Sequence, residues 1–143
     1  MTRVFVDSSV LFSAAYSSKG HSREVLLMTA REEITVVISQ LVVDETRRNL
    51  ADHAPHLIEY LELIIAAIPF EYIRPTKSEV LGAAKYVVLK DAPIVAAAKK
   101  AKVDLLITLD KKHLLDKQEI VEASGVAIVT PKEAVEYLRK TNR

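Results

Sequence analysis

The stretch VFVDSSVLFSAA, residues 4–15, decides how the rest of the chain is read. Its first three residues are β-branched or aromatic with no polar interruption, so 4–6 is expected to be a short strand buried on both faces. Ser8 or Ser9 is expected to cap a helix over VLFSAAYS, residues 10–17. Between strand and helix stands Asp7. A carboxylate abutting a buried strand rarely goes unpaired, because an ionised group taken from water must be compensated. It is either a helix cap or the first piece of a site gathered from distant parts of the chain.

The same alternation continues outward. Lys19-Gly20-His21 breaks the first helix, SREVLLMTAREE (22–33) forms the next, and ITVVIS (34–39) is a second strand. Residues 40–54 read as a half-exposed helix. After Pro55, residues 56–68 place Leu57, Ile58, Leu61, Ile64, Ile65 and Ile68 on one wide apolar stripe. FEYI (70–73) is a short edge strand and 78–90 a helix. Residues 91–102 form another helix, with Asp91 as its cap and a proline in its first turn. DLLITL (104–109) and VAIVT (126–130) are strands, and 131–140 closes the chain as a helix opened by proline. Strands alternating with crossover helices predict an α/β/α three-layer fold around a parallel sheet of four to five strands. With three glycines, five prolines and no linker or repeat, a single domain over 1–143 is expected.

Composition narrows the function classes. Half of the 143 residues are hydrophobic, which excludes global disorder. The net charge of +1 gives no overall basic excess to attract a polyanion, so any nucleic-acid contact has to come from local patches. The absence of cysteine removes disulfides and thiolate metal sites and fits a reducing cytoplasm. The opening MTRVFVD is too quickly interrupted for a signal peptide, and no segment approaches the ~20 apolar residues of a membrane span. A soluble, cytosolic protein without membrane contact is expected.

In open α/β sheets, ligands bind outside the carboxyl ends of the strands. Asp7 and Asp110 each follow a strand directly, Asp91 opens the helix leading into the 104–109 strand, and Glu45 lies about one turn into the helix after 34–39. Each has an ordinary reading by itself: Asp91 as a cap, Asp110 as a turn residue, Glu45 as a partner of Arg48. Together they can converge on one rim. Two like charges ~4 Å apart repel by about 4 kcal/mol at an effective dielectric of about 20, so a cluster of four calls for protonation or a cation. All-oxygen ligands without cysteine select Mg2+ or Mn2+, whose retained waters suit attack on a phosphodiester.

Four segments, DSS (7–9), SQLVVDETRRNL (39–50), DAPIVAAA (91–98) and ITLDKKHL (107–114), resemble the PIN-domain nucleases, and the similarity spans essentially the whole chain. The resemblance implies a metal-dependent ribonuclease site on a parallel sheet and, in prokaryotes, often a toxin of the VapC type restrained by a small antitoxin. It puts Asp7, Glu45, Asp91 and Asp110 at the family's acidic positions, as catalytic and metal-binding residues for Mg2+ or Mn2+. Ser9 and Thr108 fall at its supporting hydroxyl positions. Asp44 does not fit, since neighbours on a helix point about 100° apart and only one of Asp44 and Glu45 can face the rim. Residues 19–22 with the long 56–68 helix resemble the stand-alone PIN branch, and a homodimer is expected because dimers are common among similar proteins.

If RNA is the substrate, Arg47, Arg48, Lys111 and Lys112 lie closest in sequence to the acids and are expected to contact it, with Lys19 and Arg23 nearby. His113 is expected to be a surface or cap residue, since nothing around it specifies a tautomer. The 56–68 stripe should pack into the core, any exposed part serving a second copy or an antitoxin. The rival reading is a catalytically silent RNA-binding or scaffold protein, against which the clustered acids argue. A haloacid-type phosphatase needs an aspartate where Ser9 stands, a receiver domain needs adjacent acids near its start, and neither a P-loop nor GxGxxG is present.

Overall fold

The computed structural model describes residues 1–141. In chain order it runs β1 (Arg3–Val6), α1 (Ser8–Tyr16), α2 (His21–Ala30), β2 (Thr35–Ile38), α3 (Gln40–His53), a 3-10 turn (Pro55–Leu57), α4 (Ile58–Ala67), β3 (Glu71–Tyr72), α5 (Lys77–Ala83), α6 (Ala92–Lys100), β4 (Leu105–Ile107), α7 (Gln118–Ser124), β5 (Ala127–Val129) and α8 (Pro131–Thr141). The five strands form one parallel sheet in the order β3-β2-β1-β4-β5. Val4, Phe5, Val6, Val36, Val37, Ile38, Leu106 and Ile107 are fully buried, as the unbroken apolar runs require of strands covered on both faces.

Right-handed crossovers then fix the layers. From β1 the chain steps outward to β2 and β3 through α1 to α4, and these helices share one face, where α1 packs on α2, α3 and α4. From β3 it steps back across the sheet to β4 and on to β5. That reversal puts α5, α6 and α7 on the other face, where α5 packs on α6 and α6 on α7. Finally α8 returns to pack on α2 and β4. The expected three-layer α/β architecture is what the chain adopts, with the edge strand at 71–72 in place.

Two expectations are corrected, and one helix is added. Asp7, not Ser8 or Ser9, caps α1: its Oδ1 accepts from Val10 N at 3.2 Å, while the Ser9 hydroxyl turns to donate to Asp7. The helix expected over 78–90 stops at Ala83. Bonds from Lys85 N to Gly82 O and from Tyr86 N to Ala83 O tighten its end, so the chain turns back and α6 can pack on α5. The short α7 went unpredicted because it buries only Ile120 and Ser124 and carries no apolar stripe. It ends at Gly125, whose φ of 74° is the left-handed conformation that favours glycine. Of the 56–68 stripe, Leu61 and Ile64 are buried in the core, and Leu57, Ile58, Ile65 and Ile68 pack at its edge.

Thr76 and Glu79 start α5 with a reciprocal capping box, Glu79 N to Thr76 Oγ1 at 3.1 Å and Thr76 N to Glu79 Oε1 at 2.7 Å. Thr76→Ala removes one acceptor and is expected to lower stability by about 1 kcal/mol, read as the midpoint of urea unfolding. No change would mean that α5 contributes nothing to the cooperative unit.

Candidate functional site

The reversal of chain direction falls between β1 and β4, the position at which open α/β sheets bind ligands. Val6 pairs with Ile107, so the residues that follow, Asp7 and Thr108, leave the sheet side by side. Asp7 N donates to Ile107 O at 3.3 Å, and the Thr108 hydroxyl donates to Asp7 Oδ2. Ser9 Oγ donates to Asp7 Oδ1 at 2.5 Å and accepts from Leu109 N at 3.1 Å, while Thr108 Oγ1 accepts from Asp110 N at 3.0 Å. Both expected supporting hydroxyls therefore link the start of α1 to the segment after β4. Asp7 both caps α1 and lines the cleft at this rim.

Asp110 begins a tight turn in which its Oδ1 accepts from Lys112 N at 3.1 Å and His113 N at 3.0 Å. The turn carries His113 inward, its Nδ1 3.3 Å from Asp110 Oδ2 and 3.7 Å from Asp91 Oδ2. Asp91 occupies the N-cap position of α6, but its side chain makes no capping bond. Its φ of −97° and ψ of −6° depart from the extended conformation of a capping residue, and the carboxylate enters the cleft instead. Asp91 Oδ2 is buried and, among the described residues, has no hydrogen-bond partner.

These residues line a cleft of about 430 Å3 with Asp7, Ser8, Ser9, Glu45, Asn49, Lys90, Ile94 and Lys112. All four predicted acids meet there. Asn49 is reached from Glu45 by one helical turn, a spacing visible in the sequence. Lys90 and His113 stand beside predicted acids in the chain, but nothing in the letters shows which way they turn. Asp44 lies in a separate cleft with Tyr72 and Arg74 and accepts from Gln40 Nε2 at 3.0 Å, as the 100° offset from Glu45 requires. Of the expected basic contacts, Lys112 lines the acidic cleft, Arg48 acts electrostatically on Glu45, and Lys111 is exposed. Arg47 departs from expectation. Its guanidinium is held by Glu62 at 2.6 and 2.8 Å, away from the cleft lining.

Burial pushes the Asp7 carboxyl above its ordinary range; the Ser9, Thr108 and Val10 hydrogen bonds oppose this, and the Asp110 charge adds to it. Glu45 is raised by burial, against the pull of Arg48 and with repulsion from Asp7 and Asp91. Asp91 is raised by burial and then by Asp110, with Lys90 and His113 opposing. The four acids thus form a closed circuit of mutual repulsion. Asp91, Asp110 and His113 offer ligand atoms within 4.8 Å of one another. Hard oxygens, one unpartnered and buried, fit a small divalent cation.

A family model for the PIN domain matches residues 3–112. The chain belongs to the PIN-domain family. Solved structures similar to this PIN domain include PAE2754 from Pyrobaculum aerophilum, at a TM-score of 0.68 and 18% identity over 97% of this chain and 96% of that one. VapBC2 from Rickettsia felis, bound to a DNA fragment from their promoter, matches at a TM-score of 0.64 and 11% identity, covering 90% and 98%. VapC20 of Mycobacterium tuberculosis, a sarcin-ricin loop cleaving toxin, matches at a TM-score of 0.53 and 18% identity, covering 76% and 91%. At these identities the likeness is one of fold. No curated protein sequence matches the chain. Among the described residues, no helix of the PIN domain is long and apolar enough to cross a membrane.

Proposed function

We propose that this PIN domain, spanning 1–143, is a Mg2+- or Mn2+-dependent endoribonuclease that hydrolyses RNA phosphodiester bonds in the cytoplasm as the toxin of a toxin-antitoxin pair. The observation that carries the reading is the buried, unpartnered Asp91 Oδ2 inside a cleft where four acids repel one another. A carboxylate oxygen left without a donor is costly unless a cation takes the place of one. The nuclease and toxin parts of the reading are supported by the family match and by a neighbour that is a sarcin-ricin loop cleaving toxin.

Asp91 and Asp110, with Asp7 and Glu45 across the same cleft, would hold the ion. When bound, it would supply Lewis-acid activation of water and charge neutralisation at the phosphate. The chain's own part is orientation. Ser9 and Thr108 lock the Asp7 carboxylate, and the backbone N–H groups of Lys112 and His113 lock that of Asp110. Lys90 and Lys112 set positive charge among the acids, where an RNA phosphate would otherwise meet only repulsion. Outside the cleft lining, Leu27, Tyr60 and Leu63 leave apolar surface between α2 and α4, which suits a small antitoxin or a second copy of the chain.

The test is incubation of end-labelled RNA with the purified protein in Mg2+, in Mn2+ and in EDTA. Cleavage in both ions, leaving 5′ phosphates and ceasing in EDTA, is expected. RNA bound but uncut in every divalent ion would replace the nuclease by a silent binder.

A further inference from the structure

We propose that His113 Nδ1 is a direct ligand of the divalent ion and makes this site favour Mn2+ over Mg2+. The inference rests on the metal-dependent reading above and adds to it a nitrogen donor that the acidic positions do not include. Nδ1 faces two carboxylate oxygens, Asp110 Oδ2 at 3.3 Å and Asp91 Oδ2 at 3.7 Å. Both distances exceed the ~2.7–3.2 Å of a good N–H···O bond, and one ring nitrogen carries at most one proton to share between them. As a hydrogen-bonded pair the arrangement therefore leaves an oxygen unsatisfied, and it is Asp91 Oδ2, buried and without a partner, that is left.

As a ligand set, the three residues lie together: each offers a ligand atom, and these atoms fall within 4.8 Å of one another, a separation that one divalent ion can span with side-chain adjustment. The chain also places the residue that carries the imidazole. His113 is tied by its own backbone N–H to Asp110 Oδ1 at 3.0 Å, so the residue that contributes one ligand oxygen also positions the nitrogen. Imidazole binds transition ions in preference to Mg2+, which keeps to oxygen and water.

The experiment uses the full chain, freed of metal by EDTA and dialysis, with Mn2+ alone and Mg2+ alone as probes. Pulsed electron paramagnetic resonance of bound Mn2+ should show a directly coordinated nitrogen that is absent in His113→Ala, which keeps the other three histidines. Calorimetry should show Mn2+ affinity falling about tenfold or more in that variant and Mg2+ affinity falling much less. Mn2+ bound without nitrogen coupling, or equal losses for both ions, would overturn the ligand assignment and leave the nuclease reading standing. Failure of the wild type to bind either ion would overturn both.

Discussion

Asp7→Asn is expected to lower divalent-ion-dependent RNA cleavage by more than ~100-fold while raising the melting temperature of the ion-free protein at neutral pH. The two effects share one cause. Asp7 is 6% exposed, and burial together with the Asp110 charge holds its pKa above the ordinary value of 3.8. A carboxyl whose folded-state pKa is raised binds more protons folded than unfolded, so stability falls as pH rises from the unfolded pKa through the folded one. Asparagine removes that fall. Its amide keeps an acceptor for Val10 N and Ser9 Oγ and turns a donor towards Thr108 Oγ1, so the scaffold bonds have isosteric replacements. The gain should therefore vanish at pH below about 3.8 and grow above it, as thermal melts in EDTA across pH would record. Undiminished cleavage would remove Asp7 from the chemistry, and a lower melting point at neutral pH would make its carboxylate a net structural asset.

Saturating Mn2+ is expected to raise the melting temperature of the wild type by about 5–10 °C. An ion at 100 times its dissociation constant contributes about 2.7 kcal/mol, and a domain of this size shifts by ~2–4 °C per kcal/mol. Burial, together with the repulsion among the acids, raises Asp7, Glu45 and Asp91 and makes the effect depend on pH. Protons compete with the ion for these oxygens, so the stabilisation should shrink as pH is lowered through the raised carboxyl range. Asp91→Asn should remove most of it, since the orphaned oxygen goes with the charge. A melting curve indifferent to Mn2+ at neutral pH would show that the acids tolerate one another without a cation.

Much of this architecture was legible because its strands are short, apolar and bounded by polar residues. VFV, ITVVIS and DLLITL admit few other readings, and the acids at their ends follow from the rule that places ligands there. What periodicity could not give was the meeting of side chains far apart in sequence. Val6 beside Ile107 is a fact of register, and only that register brings Thr108 to Asp7. The letters show Asp110 three residues before His113, but not Asp91, which reaches the imidazole from the start of another helix. Nor do they show that Arg47, two residues from Glu45, has its fork taken by Glu62 on α4.

The Thr108–Asp7 hydrogen bond joins partners 101 positions apart. During synthesis the first aspartate emerges long before the hydroxyl that holds it and before Asp110, so an incomplete nascent chain carries no assembled cleft. Assembly of the cleft therefore waits on β4, whatever part of the chain has folded before it. Termination anywhere upstream of β4 yields a fragment that lacks both Thr108 and Asp110.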